Sequence, residues 1–404
     1  MENISGGVCA PKGFKASGVH VGIKKTSKKK DMALIYSLKL CSVAGVYTKN
    51  KVKGAPVTVS QNNMAGGVAQ AIICNSGNAN TCASNGIEIA EQTCLLTAKA
   101  LGISQNQVMV ASTGVIGEPM SIEPFERGIP ELVEKLSFEG SNDAATAIMT
   151  TDTVKKEVAV KFAIDGKECA IGAVAKGSGM INPNMATMLT FITTDVNISS
   201  HMLQKALSAD TEDTFNQISI DGDTSTNDTV FILANGMAEN EMITDEGEGF
   251  SIFCKALNIV TTALSRMLAK DGEGATKLVV CEVQGAPDKE TAKIVSKSVI
   301  NSNLLKAAMF GEDANWGRIL CAIGYTDCDF DISGTDVSFV SKAGRVKVCE
   351  NAAYKVYDEK EAKKVLHEEE ITIEVDLKQG SGKAAAWGCD LTYDYVKING
   401  DYRS

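Results

Sequence analysis

Lys176-Gly177-Ser178-Gly179-Met180-Ile181-Asn182-Pro183-Asn184-Met185-Ala186-Thr187-Met188-Leu189-Thr190 is the stretch on which the reading of this chain turns. A glycine-rich loop passes through Asn-Pro-Asn into Ala186-Thr187, then enters a strand-like run. Glycine permits tight or left-handed backbone, and Pro183 pushes Asn182 toward an extended conformation. Such a loop can press a hydroxyl against the carbonyl of the preceding residue. Attack of Thr187 Oγ on the Ala186 carbonyl would form an ester, and hydrolysis of that ester would cut the chain. The new N-terminal threonine would carry a hydroxyl nucleophile and an α-amine of pKa about 7.7–8.0, able to act as general base near neutrality. The small Ala186 side chain leaves room at the bond. The same local pattern also fits a glycine loop feeding an ordinary strand, with Thr187 as a structural β-branched residue.

Short strands and helices alternate on both sides of this loop. Upstream, Val19, Val21 and Ile23 alternate as in a half-buried strand, and Ala33-Leu34-Ile35-Tyr36 forms a second after the Lys28–Asp31 turn. Ala69–Cys74 and Val108–Val110 read as strands, and 87–102, 122–136 and 142–149 as helices. Two strands fit 157–163 and 167–175. Downstream, 189–194 and 229–234 read as strands and 200–217 as a helix. In 250–269, Phe253, Leu257, Val260, Leu264 and Met267 recur at steps of three and four, defining one apolar helix face. The C-terminal third predicts strands near 277–284, 335–341, 345–349, 371–377 and 391–398, and helices near 301–309 and 359–367. Ile371, Ile373, Val375 and Leu377 alternate with polar residues, as in an antiparallel strand with one wet face. This rhythm predicts a layered α/β (α+β) architecture, mixed or antiparallel sheets sandwiched by helices, over a doubly wound parallel sheet. A domain boundary is expected near 190–200 or near 290.

The 404 residues are 44% apolar and 22% charged, an ordinary soluble composition. With 40 Lys plus Arg against 50 Asp plus Glu, no basic excess exists to replace counterions on nucleic-acid phosphates. No apolar run approaches the roughly 18 residues that span a bilayer, and the N-terminus has no basic region followed by an apolar stretch, so neither membrane insertion nor export is expected. The twelve cysteines are scattered without a CxxC, and there are only three histidines. Zinc spacing is absent, and buried reduced thiols in a cytoplasmic protein are expected. A Ser-His-Asp triad has no partnered motif, no GxSxG is present, and Asp271–Lys277 lacks the spacing of a phosphate loop.

Residues 176–195 closely resemble the self-cleavage region of the ornithine acetyltransferase family, the bifunctional glutamate N-acetyltransferase/ornithine acetyltransferase of arginine biosynthesis. Further motifs carry the resemblance in order along the chain: Pro11–Ala16, Asn75–Asn80, Ser112–Gly117, Met149–Thr153, Asp221–Asp228, Asp271–Lys277, Gly311–Arg318 and Asn399–Ser404. It covers essentially the whole chain.

The resemblance implies the family's self-processing fold, with Thr187 as nucleophile and Ala186–Thr187 as the cleaved bond. An α chain of 1–186 and a β chain of 187–404 would result, assembling as a heterotetramer of two each. Thr113 and Gly114 match the family's oxyanion hole, where donors meet the charge of a tetrahedral intermediate. Thr151, Lys176, Thr187, Glu273, Asn399 and Ser404 fall on its substrate contacts. Lys176 and hydroxyl donors suit an α-carboxylate, and Glu273 suits the basic end of ornithine. The family often ends in threonine where this chain has Ser404, which retains the hydroxyl. The implied reaction moves the acetyl group from N2-acetylornithine to L-glutamate through an acetyl-threonine, with no metal or cofactor. Some members also take acetyl-CoA as donor. The alternative is a self-processing N-terminal-nucleophile aminopeptidase or amidohydrolase, which would pass the acyl group to water.

Overall fold

The computed structural model describes residues 1–24, 27–182 and 188–401. It forms two compact units. Unit 1 takes the described residues of 1–177, 184–212 and 224–264, and unit 2 those of 178–183, 213–223 and 265–404. The chain therefore changes unit five times, and no boundary falls near 190–200 or 290.

Unit 1 is built on a nine-stranded mixed sheet. Its pairing order runs Glu2–Ile4, Lys156–Ile164, Lys167–Lys176, Leu189–Thr194, Thr229–Ala234, Met32–Tyr47, Val68–Asn78 and Val108–Val115, with Phe14–Val19 added beside Met32–Tyr47. Leu189–Thr194 pairs antiparallel with Lys167–Lys176 and parallel with Thr229–Ala234. The side-chain period of two sorts one end of the sheet into two faces. Met32, Leu34, Ala71, Ile73, Val108 and Val110 pack against Ile89, Ala90 and Cys94 of helix Gly86–Leu101 and Phe125, Ile129 and Leu132 of helix Glu123–Glu134. Ala33, Ile35, Ile72, Met109 and Ala111 point the other way. There they share a core with Val174, Phe191, Phe231 and Leu233 from the opposite half of the sheet, and with helix Ser141–Ile148. The sheet is thus folded over on its own apolar face, the layered arrangement expected from the β-β-α rhythm.

Unit 2 carries a seven-stranded sheet in the order Ala353–Tyr354, Gly344–Glu350, Asp336–Ser341, Glu370–Asp376, Leu278–Ala286, Gly382–Cys389 and Ile218–Ser219. Val279, Cys281, Val283, Val337, Phe339, Ile371, Ile373 and Val375 form one apolar face. Helices Lys289–Asn301, Asn303–Phe310, Trp316–Gly324 and Glu359–Leu366 cover it. The opposite face is polar, with Arg345 paired to Glu374 at 2.7 Å and Lys347 to Asp336 at 2.8 Å.

Several expectations need correction. The strand expected through Val19, Val21 and Ile23 is Phe14–Val19 and ends before Val21, and the one expected at Ala33–Tyr36 runs from Met32 to Tyr47. Residues 391–398 are not a strand but helix Tyr393–Gly400, started by the Thr392 hydroxyl accepting from the Tyr395 N–H. The true strand is the alanine-rich Gly382–Cys389, which pairing with Leu278–Ala286 imposes despite weak β propensity. Glu370–Asp376 keeps its wet face but has a parallel neighbour in Leu278–Ala286 and an antiparallel one in Asp336–Ser341. In helix Glu248–Lys270 the buried stripe passes through Leu268 rather than Met267. By length and composition this helix could cross a membrane, contrary to the expectation of no such run, yet Phe253, Leu257, Val260 and Leu264 are fully buried in the protein. All twelve cysteines are free thiols; eight are buried, but Cys82 and Cys321 are exposed.

Candidate active site

Thr113 and Gly114 sit where the parallel pair Val68–Asn78 and Val108–Val115 becomes irregular. Gly77 lies opposite Gly114, and both have positive φ, 108° and 131°. A Cβ on Gly114 would lie 2.3 Å from the Gly77 carbonyl carbon and 2.6 Å from the Asn78 nitrogen. Only glycine permits this approach of one main chain to another.

Side chains from three of the sequence motifs stitch this turn in place. Ser112 Oγ donates to Asn75 Oδ1 at 2.6 Å, and Asn75 Nδ2 donates to the Asn78 carbonyl at 2.9 Å. Asn227 Nδ2 donates to the Ala79 and Ser112 carbonyls at 2.5 and 2.9 Å. Asn227 is a positioning residue that the sequence reading quoted without assigning a role.

Lys176 ends the strand Lys167–Lys176, nearly buried, and its Nζ donates to Thr113 Oγ1 at 3.2 Å. Gly177 then donates its N–H to Asp152 Oδ1 at 2.7 Å. The same oxygen accepts from the fully buried Lys156 Nζ at 2.7 Å, and Oδ2 accepts from the Thr150 N–H at 3.0 Å. Thr151 is thereby carried between two anchored residues. Burial works to raise Asp152, but the Lys176 and Lys156 ammoniums and the Gly177 N–H outweigh it and hold the carboxyl down at about 2.

Two further ionisable groups in unit 1 have no role assigned from the sequence. Lys24 Nζ donates to the carbonyls of Lys30 and Met149 at 3.0 and 2.8 Å, and burial pulls it down to about 8. Its stem would lie 3.0 Å from a Cβ on Gly77. Asp228 precedes the strand Thr229–Ala234, whose first N–H donates to the Met188 carbonyl at 2.9 Å. Burial pushes the Asp228 carboxyl well above the usual range, and among the described residues its Oδ2 has no hydrogen-bond partner. Nothing local in the sequence distinguishes this aspartate from a surface one.

In unit 2, Glu273 and Asn399 come together. Asn399 Nδ2 donates to Glu273 Oε2 at 2.8 Å, and the Glu273 N–H donates to the Ser178 carbonyl at 2.7 Å. A Cβ on Gly179 would lie 2.3 Å from that carboxylate, so the Gly-Ser-Gly loop is glycine here because Glu273 packs on it. Ala186, Thr187 and Ser404 lie outside the described residues. Among the described residues no group of three His, Cys, Asp or Glu is arranged to hold a metal ion.

A model of the ArgJ family matches residues 15–404. The arginine biosynthesis bifunctional protein ArgJ of Caldanaerobacter subterraneus subsp. tengcongensis is 51% identical over 405 residues, with all of both chains covered. That of Streptococcus thermophilus is 46% identical over 406 residues, again with both chains fully covered. Among solved structures, the arginine biosynthesis bifunctional protein argJ of Bacillus halodurans is 46% identical with a TM-score of 0.51, covering 53% of this chain and 99% of its own.

Proposed function

This chain belongs to the ArgJ family, and from that premise we propose that it is an acetyltransferase of arginine biosynthesis that cuts itself at Ala186–Thr187 and then moves acetyl groups through Thr187. The observation that carries this reading is the meeting of the Lys176 ammonium and the Thr113 hydroxyl, beside the positive-φ Gly114, at the start of the glycine loop that leads to Thr187. The Bacillus halodurans chain supports it further, being about half as long as this one, close to the share taken by residues 187–404.

In processing, Thr187 Oγ attacks the Ala186 carbonyl and its proton passes to the Thr187 nitrogen. The amide C–N bond breaks and an ester remains. Water hydrolyses that ester, leaving an Ala186 carboxylate, a restored Thr187 hydroxyl and a free α-amine. In turnover the amine takes the hydroxyl proton as Oγ attacks the acetyl carbonyl of N2-acetylornithine. Thr113 and Gly114 meet the oxyanion. The proton passes to the departing α-nitrogen, ornithine leaves, and Thr187 holds the acetyl group as an ester. The α-amine of L-glutamate attacks that ester, N-acetylglutamate departs, and its surplus proton returns to Thr187 Oγ. Lys176 pairs with the substrate α-carboxylate, alongside Thr151. Glu273, Asn399 and Ser404 serve as further substrate contacts. The reaction as proposed runs in the cytoplasm on the chain's own groups, in an assembly of two α and two β chains, with acetyl-CoA as a second acetyl donor.

Denatured intact mass of the wild type beside Thr187→Ala tests this. The wild type should give fragments of about 20 and 23 kDa, as expected when a threonine cuts its own preceding bond, and the variant should stay whole. Incubation with N2-acetylornithine should acetylate the 187–404 fragment, and L-glutamate should discharge it as N-acetylglutamate. Discharge to acetate at the same rate with or without glutamate would instead indicate a hydrolase. An active wild type that stays whole would leave Thr187 without a free amine and end this mechanism.

A further inference from the structure

The mechanism leaves unexplained how the chain ahead of the cut is held. Residues 178–182 answer this within unit 2. The Asp221 carboxylate accepts two successive peptide N–H groups, from Met180 at 2.6 Å to Oδ2 and from Ile181 at 2.9 Å to Oδ1. The Ile181 carbonyl accepts from the Ile220 N–H at 2.7 Å, and Asn182 Nδ2 donates to the Gly222 carbonyl at 3.0 Å. Ile181 itself is fully buried. Met180 is held at φ 54°, a left-handed conformation rare for a residue with a side chain. That strain persists only where surroundings over-determine it, and here the bidentate carboxylate does so.

We propose that Asp221 is a positioning residue for self-processing: it grips the backbone of Met180 and Ile181 and so sets the approach of the segment that ends at Ala186–Thr187. The inference rests on the reading of Thr187 as nucleophile. An intramolecular acyl shift draws its rate from how closely the reacting atoms are held, and a misplacement of about 1 Å costs on the order of 10²-fold. Asp221→Asn keeps the size of the side chain but turns one acceptor into a donor, so one of the two N–H groups loses its partner.

Time courses of intact mass after a pulse of expression test the assignment, with thermal melting of Asp221→Asn in the uncut Thr187→Ala background beside them. The expected result is cleavage slowed by roughly 10- to 100-fold, with the uncut background melting where Thr187→Ala alone melts. Asp221→Glu, which restores both acceptors, should recover part of the rate. Asp221→Asn processing as fast as the wild type would overturn the proposal. So would loss of folding in the Thr187→Ala background, since Asp221 would then hold the fold rather than the segment. A wild type that never cuts would defeat the underlying Thr187 reading, a result distinguishable from both.

Discussion

Lys176 Nζ donates to Thr113 Oγ1 across 3.2 Å, although four strands separate theirs in the pairing order of the sheet. The contact exists because the sheet folds over on itself and brings the two strand ends together. It places one nearly buried cation beside the Thr113–Gly114 turn, where an anionic substrate group would meet a charge-assisted donor. Lys176→Met keeps the length and removes the charge. A hydrogen bond to a charged group contributes about 1.5–3 kcal/mol, so KM for N2-acetylornithine should rise about 10- to 100-fold with a smaller change in kcat. Steady-state kinetics on the processed enzyme decide it, and an unchanged KM would remove Lys176 from substrate binding.

Gly114→Ala should damage folding as well as chemistry. The added Cβ would sit 2.3 Å from the Gly77 carbonyl carbon, a backbone atom that cannot swing aside, at φ 131°. The expected loss is about 2–4 kcal/mol, from strain and overpacking together. Urea midpoints in the uncut Thr187→Ala background measure it. A midpoint equal to that of the parent would mean the turn is looser than described.

Asp152 makes acid stability a reporter of the same region. Its carboxyl falls from 3.8 to about 2 on folding, so the folded state holds its proton less tightly than the unfolded chain. The contribution is full above pH 3.8 and is lost as pH falls through about 2. It amounts to ~2 kcal/mol for this buried group. Urea unfolding of Thr187→Ala between pH 5 and pH 2, limits chosen to bracket that titration, should show the decline. Adding Asp152→Asn should flatten it, with lower stability throughout because the buried Lys156 ammonium loses the Asp152 carboxylate charge. Equal slopes with and without Asp152 would show that the pair does not titrate as argued.

After the proposed cut, strands Leu189–Thr194 and Thr229–Ala234 belong to one fragment but lie between Lys167–Lys176 and Met32–Tyr47 of the other. Separating the fragments would break two strand interfaces and the core around Phe191 and Phe231. The fragments should therefore co-elute on gel filtration in native buffer at low protein concentration and part only in denaturant. Refolding of the mixture should then depend on concentration, because it has become a second-order event. Independent elution of native fragments would contradict the shared sheet.

Much of the element list was legible because it is written locally. The periods of two and 3.6 marked Lys156–Ile164, Leu189–Thr194, Gly86–Leu101 and Glu248–Lys270 to within a few residues. Errors came where tertiary pairing overrode propensity. Tyr393–Gly400 looked like a strand through its aromatic and branched residues, yet the Thr392 cap and the absence of a pairing strand made it a helix. The alanine-rich Gly382–Cys389 looked like nothing in particular until a neighbour paired with it. In the site, Thr113, Gly114, Lys176 and Glu273 were named through family resemblance. Asn227, Asp228, Lys24 and Asp221 passed without a role, because their function depends on partners up to 148 positions away.

By itself, then, the amino-acid order determined which segments could be strands or helices, where glycine was needed and which threonine stood behind a glycine loop. Those properties follow from backbone sterics and side-chain periodicity over a few residues. The folded-over sheet that joins Lys176 to Thr113, the depressed Asp152 and raised Asp228 carboxyls, and the clamp of Asp221 on Met180 and Ile181 were decided only in three dimensions. Each depends on burial and on distance between residues remote in sequence, and both are set when the sheets pair and their apolar faces close.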